Sequence, residues 1–214
     1  MIKLYGYWRS TAAYRVRIAL NLLNIDYQSI SVHLVKDGGE QHHKAYDELN
    51  PSHLVPTLVD GDIELSQSLA IIEYLDECYG QHQLLPQEIA QRAKVRALSQ
   101  DIACDIHPIN NLRVVQHLGE VASFAQEDKT RWMIHWMEVG FAAIERKLAL
   151  TSDSFCFGDQ VTLADICLVA QVYNARRFGV AMAPYPTICA IETSCLALEA
   201  FSRAAPETQD DAMS

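Results

Sequence analysis

Strand-like patterning ends after roughly the first 80 residues of this 214-residue chain, and this confinement is the strongest constraint on its fold. Residues 2–5 alternate apolar and polar side chains, as short strands do, and residues 27–32 form a second such segment. Between them, residues 12–23 repeat apolar side chains at helical spacing. Because a helix is the usual crossover between parallel strands, this region is predicted to be a βαβ unit.

A hairpin signal follows the βαβ unit. Asp60-Gly61 lies between two short apolar runs, a pattern typical of two strands joined by a tight turn. A short polar helix is predicted at about residues 40–49, and another helix begins near residue 66. The resulting order, β-α-β-α-β-β-α, predicts an α/β thioredoxin-like domain over residues 1–80.

The remainder of the chain has a helical pattern. Apolar side chains at helical spacing fill residues 90–118 and 129–150. The segment from Thr162 to Asp165 has the form of a capping box, with Asp in place of Glu at its fourth position, and predicts a further helix start. We therefore expect an all-α domain over residues 87–203 and a flexible tail over 204–214.

Charge and composition limit the classes of function. Half of the residues are hydrophobic and 21% are charged, which favours a folded chain over a disordered one. The formal net charge of -10 argues against nucleic acid as a partner, because a general phosphate-binding surface needs an excess of positive charge. A small anionic substrate is compatible with this charge only if a few arginines or lysines gather in one pocket.

Other chemical classes are disfavoured by what the sequence lacks. The six cysteines include no C-x-x-C pair and lie mostly among apolar residues, as reduced thiols of a cytoplasmic protein do. No run of 18 apolar residues predicts a membrane span, and the start of the chain lacks the apolar core of a signal peptide. His42, His43 and His53 form no recognisable set of metal ligands, so no metal site is predicted.

The turn after the first strand carries the most informative chemistry. A thioredoxin-type redox protein would have two cysteines at this helix start, and this chain has Ser10 and Thr11 instead. Free backbone N–H groups and the positive end of the helix favour an anion at such a place, including the thiolate of a bound cofactor. A simple N-cap is the alternative role for Ser10, and the two roles are compatible.

From Arg15 to Leu20, the sequence Arg-Val-Arg-Ile-Ala-Leu matches the motif of the zeta-class glutathione transferases at every position. The chain therefore resembles this family, in a bacterial form similar to glutathione-dependent maleylpyruvate isomerases, over about residues 1–203. In the first half of the motif Ser10 is identical, Thr11 keeps a hydroxyl and Ala12 replaces the family's cysteine. The resemblance implies the two-domain glutathione-transferase fold, with Ser10 as catalytic donor to the glutathione thiolate and no covalent chemistry at position 12.

Further residues of the glutathione site follow from the same resemblance. Val55, before a cis-Pro56, would pair its backbone with the cysteinyl part of glutathione, and Gln67-Ser68 would bind the γ-glutamyl end. The remaining cofactor-binding candidates are Thr11, Arg15, Gln41, His107 and Asn111. His107 and Asn111 would contact the glutathione of their own subunit or that of the neighbouring subunit.

Arginines are the candidates for holding substrate carboxylates, because guanidinium groups pair with them in bidentate fashion. Arg9 adjoins Ser10 and is also a catalytic candidate, whereas Arg176 and Arg177 lie on the helical domain, which supplies the substrate side in this fold. A surface arginine in an ion pair is the alternative role for each of them.

The function implied by the resemblance is cis–trans isomerisation of a dianionic maleyl diketo acid. The expected reaction converts 4-maleylacetoacetate to 4-fumarylacetoacetate in tyrosine and phenylalanine catabolism, with glutathione as cofactor, in a cytoplasmic homodimer. Three alternatives stay open: the same chemistry on maleylpyruvate in gentisate degradation, a generic conjugating glutathione transferase, and a GST-fold binding protein without activity.

Overall fold

The computed structural model describes residues 1–213, which form two compact units. The first unit contains residues 1–84 together with the chain from residue 196 onward, and the second contains residues 85–195. The expected α/β domain followed by a helical domain is confirmed. The division differs from the expected one at the C-terminal end, because the last helix belongs to the first unit.

The first unit is built on a four-stranded mixed sheet of order β2-β1-β3-β4. β1 pairs in parallel with β2, whereas β3 pairs antiparallel with both β1 and β4. The strands are β1 Ile2–Gly6, β2 Tyr27–Ser31, β3 Thr57–Asp60 and β4 Ile63–Ser66. This arrangement confirms the βαβ unit and the hairpin around Asp60-Gly61.

Three helices complete the predicted order of the first unit: α1 Thr11–Leu22, α2 Lys44–Asp47 and α3 Ser68–Cys78. α1 and α3 pack against each other. Aliphatic side chains of both helices, such as Ile18 and Ile71, are fully buried. Leu4 and Tyr5 of β1 point to opposite faces of the sheet. Tyr46 of α2 packs near Tyr5, so α2 lies on the face opposite to the buried Leu4.

All the regular secondary-structure elements of the second unit are helices. Its helices are α4 Ile89–Gln100, α5 Leu112–Val121, α6 Gln126–Leu148, α7 Leu163–Arg177 and α8 Pro186–Leu196. The expected continuous helix over 90–118 is interrupted, because a π-helical segment, Asp101–Ile106, follows α4 and Asn111 is extended. Pro108 explains the break, since it lacks an N–H and crowds the preceding turn.

A buried carboxylate organises the start of α7. Asp165 accepts the backbone N–H of Thr162 at 2.8 Å and that of Cys156 at 2.7 Å, and it also accepts the Thr162 hydroxyl at 2.8 Å. The capping box predicted from sequence is therefore formed. Burial raises the pKa of Asp165 above its ordinary value, although these hydrogen bonds act in the opposite direction. The segment has a folding role, as its sequence suggests.

The C-terminal part of the chain is tied to the first unit. Helix α9, Glu199–Ala204, packs on α1 with Phe201 and Ala204 fully buried. Two short 3-10 helices, Pro206–Thr208 and Asp210–Met213, continue it over most of the segment expected to be a flexible tail. The sequence shows the polar character of this segment but not its hydrogen-bond partners. Ser214 lies outside the described residues.

Among residues 1–213, no helix is both long and apolar enough to cross a membrane.

Candidate functional site

Ser10 lies at the N-cap of α1 and begins the candidate site. Its backbone is extended, its N–H donates to the Tyr7 carbonyl at 2.9 Å, and its hydroxyl oxygen accepts the Ala13 N–H at 3.2 Å. Because that bond uses only a lone pair of the hydroxyl, the hydroxyl proton can be donated to another group. The N-cap role and the donor role are therefore compatible in one side chain.

The surroundings of Ser10 favour an anion. The first turn of α1 contains no acidic residue, so no carboxylate within that turn offsets the positive end of the helix. Thr11 and Ala13 are buried there, and Ala12 places a methyl group where the resembled family has a thiol. This helix start can stabilise an external thiolate but has no thiol of its own.

A buried arginine links the first turns of two helices. Arg15 of α1 is almost fully buried, and one of its terminal nitrogens lies 3.4 Å from the Ser68 hydroxyl at the start of α3. Burying a guanidinium costs free energy unless polar groups surround it, so this side chain marks a polar region inside the first unit. The structure therefore brings two of the predicted cofactor-binding residues together.

Gln67 has an unusual backbone at the start of α3. Its φ is +72°, a value that non-glycine residues rarely adopt, and its side chain does not cap the helix. Strained backbone of this kind persists where the surrounding structure over-determines it, and it is frequent at binding sites. The Gln67 side chain is exposed beside helix N–H groups that lack a side-chain cap, an arrangement suited to a carboxylate.

Val55 presents backbone for an extended ligand. The Val55–Pro56 peptide bond is cis and lies just before β3. Among the described residues, no backbone group hydrogen-bonds the N–H or C=O of Val55. Both groups can therefore pair with the backbone of a peptide-like ligand, in the manner of an added strand.

The loop before β3 is supported by three buried polar residues that sequence reasoning did not identify. Asn50 and Tyr46 both donate to the Leu54 carbonyl, at 2.8 and 2.6 Å, and both contact the Thr57 hydroxyl, at 3.0 and 2.9 Å. Burial raises the pKa of Tyr46, which keeps its hydroxyl protonated and able to donate. The sequence does not reveal the burial of Asn50, because that burial depends on tertiary packing.

Gln41 is also placed inside the first unit. Its side-chain nitrogen donates to the Leu34 carbonyl at 3.3 Å, and its side-chain oxygen is buried without a hydrogen-bond partner among the described residues. A Cβ atom at Gly39, which has a φ of +100°, would collide with this side chain. An unsatisfied buried acceptor costs free energy, so a ligand that donates to it would be favoured.

Comparison with known proteins places this geometry in a family. Residues 4–83 match the model for the glutathione S-transferase N-terminal domain. A probable maleylacetoacetate isomerase of Vibrio cholerae is 54% identical over 98% of this chain and 97% of its own. The holo structure of a zeta-class bacterial maleylpyruvate isomerase has a TM-score of 0.94 at 45% identity and covers 98% of this chain and 99% of its own. This chain belongs to the zeta-class glutathione transferases.

One further solved relative contains a bound ligand of the kind that the resemblance implies. The maleylacetoacetate isomerase of Methylobacterium extorquens, crystallised with malonate and GSH, is 41% identical to this chain, with a TM-score of 0.94 and coverage of 98% and 99%. The resemblance drawn from Arg15 to Leu20 is therefore confirmed at the level of family and fold.

The other predicted site residues of this zeta-class chain have distinct surroundings. Arg9 is half-buried, with its guanidinium carbon 4.1 Å from the centre of the Trp8 ring. In the helical unit, Asn111 caps α5 by accepting the Arg113 N–H at 3.2 Å, and His107 follows the π-helical segment. The N-cap bond gives Asn111 a structural role, and its contact with glutathione stays a prediction, as does that of His107.

The two arginines at the end of α7 differ from each other. The Arg176 guanidinium pairs with Glu192 through two nitrogens, and hydrogen bonding to Glu192 raises the pKa of Arg176. The neighbouring Arg177 is exposed and packs its guanidinium 4.8 Å from the centre of the Phe178 ring. The ion-pair alternative for Arg176 is therefore present in the structure, and a substrate role for Arg177 stays a prediction.

Replacement of Asn50 should reveal how much the loop before β3 depends on its buried amide. Asn50→Ala removes one donor to the Leu54 carbonyl and leaves the Thr57 hydroxyl with fewer partners, so unfolding should become easier by about 2 kcal/mol. Urea unfolding followed by circular dichroism measures this change. Ser52→Ala in the same loop is the control, since the Ser52 side chain is exposed. Equal stability of the two variants would contradict the supporting role.

Proposed function

We propose that this chain is a glutathione-dependent cis–trans isomerase that converts 4-maleylacetoacetate to 4-fumarylacetoacetate. The observation that carries the proposal is the Ser10 hydroxyl, which caps α1 and keeps a proton to donate at a helix end without acidic residues. Maleylacetoacetate isomerases of Mus musculus and Pseudomonas aeruginosa, 45% and 44% identical over nearly the whole chain, support the substrate class.

The first unit has the polar groups that a bound glutathione requires. The start of α3 at Gln67-Ser68, which has no side-chain cap, suits the γ-glutamyl carboxylate. The buried Arg15 guanidinium donates a hydrogen bond to the Ser68 hydroxyl and holds it in place. The N–H and C=O of Val55 suit the cysteinyl backbone. The buried Gln41 oxygen can accept a ligand N–H. The residues therefore fit the tripeptide along its length.

Bound glutathione would supply a thiolate that adds to the conjugated cis double bond and so permits rotation about the resulting single bond. Elimination of the thiolate would then give the trans product and unchanged glutathione. Ser10 and the N–H groups of α1 lower the thiol pKa by stabilising its anionic form. Ala12 cannot form a competing protein thiolate at this position. The protein therefore contributes an anion-stabilising site and orientation, and the nucleophile belongs to the cofactor.

Arginines complete the proposed site. Arg177, and Arg9 beside Ser10, would hold the two carboxylates of the substrate and offset negative charge that develops on the diketo acid. Arg176 is not included, because Glu192 already occupies its guanidinium. Thr11 would contribute through its backbone at the helix start.

A homodimer in the cytoplasm remains part of the proposal. Cytoplasmic location is supported by six cysteines that are all free among the described residues. The dimer rests on the family resemblance, and sedimentation of the purified protein measures it.

Maleylpyruvate is the second candidate substrate. A maleylpyruvate isomerase of Ralstonia is 46% identical over 98% of this chain, similar to the values for several maleylacetoacetate isomerases. Absorbance assays on both substrates, with and without glutathione, separate the candidates. We expect turnover only with glutathione and a higher kcat/KM for maleylacetoacetate. A higher kcat/KM for maleylpyruvate would transfer the assignment, and undiminished turnover without glutathione would contradict the mechanism.

Replacement of Ser10 should affect the thiol more than the binding of glutathione. Ser10→Ala removes the hydroxyl donor, so the thiol pKa of bound glutathione should rise and kcat should fall by about 100-fold. Titration of the ultraviolet thiolate absorbance measures that pKa. Ser10→Thr is the control, because it retains both the donor and the N-cap, and it should keep most of the activity. An unchanged thiol pKa in Ser10→Ala would remove Ser10 from the mechanism.

The adjacent arginines at the end of α7 provide a matched pair. Arg177→Ala should lower kcat/KM for the maleyl substrate by about 10- to 100-fold through loss of a carboxylate contact, with little change in the thiol pKa. Arg176→Ala should instead lower the melting temperature, because it leaves Glu192 of α8 without its partner. The opposite pattern, with activity lost in Arg176→Ala and kept in Arg177→Ala, would reverse the assignment.

A further inference from the structure

The peptide groups on both sides of Trp8 are held by hydrogen bonds that lead to the C-terminal segment, residues 199–212. The Trp8 N–H donates to the Asp211 carboxylate at 3.1 Å. The Trp8 carbonyl accepts from Arg17 at 2.9 Å, and the same guanidinium donates to the Ala204 carbonyl at 3.0 Å. Asp211 and Arg17, which lie 203 and 9 positions from Trp8 in sequence, thus fix the residue that lies two positions before Ser10.

The C-terminal segment is itself anchored firmly enough to act as a support. Phe201 and Ala204 are fully buried against α1, and Asn21 of α1 donates to the Ala200 carbonyl at 3.0 Å. Farther along, the Gln209 side chain donates to the Ala205 carbonyl at 2.9 Å, which ties the 3-10 helices to the end of α9. Burial of apolar side chains anchors the C-terminal segment. The Asp211 carboxylate is the polar contact between this segment and the turn at residues 7–10.

This contact acts on the geometry of the candidate site. Trp8 lies inside the turn that the Ser10 N–H closes on the Tyr7 carbonyl. A rotation of the Trp8 peptide group would therefore move Ser10 relative to the first N–H groups of α1. Asp211 also accepts the Ser31 hydroxyl at 2.9 Å, so its carboxylate joins the turn to the end of β2.

We propose that Asp211 and Arg17 are positioning residues, through which the C-terminal segment sets the orientation of the Ser10 hydroxyl toward the glutathione thiol. The proposal rests on the proposed function, because it assigns a purpose to the orientation of Ser10. It also explains the second arginine of Arg15-Val16-Arg17, which the glutathione contacts leave without a role. Arg17 is almost fully buried, and its two backbone acceptors offset the cost of burying its charge.

Three variants of the full-length chain test the positioning role. Asp211→Ala removes the acceptor of the Trp8 N–H. Asp211→Asn removes the charge but keeps an oxygen that can accept the same bond. Asp210→Ala is the matched control, because it makes the same charge change at an adjacent, exposed residue.

The first readout is hydrogen–deuterium exchange of peptides covering residues 7–13 in the protein without glutathione. Exchange should become about 10-fold faster in Asp211→Ala and stay at the wild-type rate in Asp210→Ala and Asp211→Asn. Unchanged exchange in Asp211→Ala would overturn the proposal. This readout does not involve glutathione, so its result is distinguishable from a failure of the proposed function.

The second readout is the thiolate absorbance of bound glutathione together with steady-state kinetics. Asp211→Ala should raise the pKa of the bound thiol and lower kcat by about 10-fold, with KM for glutathione nearly unchanged, because a misplaced catalytic group costs rate more than binding. Asp211→Asn should restore both values. A lower melting temperature in Asp211→Ala with wild-type kcat and thiol pKa would show a purely structural contact and overturn the proposal.

Discussion

The positive N-terminal end of α1 is the feature around which the first unit is arranged. Its free N–H groups have no acidic neighbour in the first turn, and Ser10 caps the helix while keeping a hydroxyl proton to donate. An anion is the natural complement of such a helix end. The strand before Ser10, the Val55 backbone and the start of α3 belong to the same compact unit as this helix end.

Buried polar side chains fix these surroundings. Arg15, Arg17 and Asn50 are all nearly inaccessible to water, and each one hydrogen-bonds a segment that borders the site. Burying them costs desolvation free energy that apolar residues of similar volume would avoid. In return, each one fixes a loop or helix end with directional bonds. Under the proposed function, these bonds would preorganise the cofactor site, so that little reorganisation is needed when charge develops.

Local pattern predicted the parts of the structure that depend on neighbouring residues. The β-α-β-α-β-β-α order, the hairpin at Asp60-Gly61 and the capping box at Asp165 are read from short windows, and all three are present. The family and its fold followed from the match between Arg15 and Leu20. Contacts between distant residues were not accessible in this way. The bond from Trp8 to Asp211 and the Asn50 network depend on tertiary packing, which no window reveals.

The helical unit illustrates the same limit. Its apolar periodicity continues through residues 101–111, but the structure changes there to π and 3-10 geometry. Arg176 and Arg177 were equivalent in sequence, and only the position of Glu192 on α8 distinguishes them. The ion pair of Arg176 therefore depends on a tertiary partner that the local sequence does not specify.

In the proposed mechanism, glutathione acts as a catalyst and is not consumed. The most direct test measures the free thiol titre while an excess of maleylacetoacetate over glutathione is converted by the enzyme. We expect complete conversion to fumarylacetoacetate with the thiol titre unchanged at the end. Loss of one thiol for each substrate molecule converted would identify a conjugating transferase and rule out a catalytic role for glutathione.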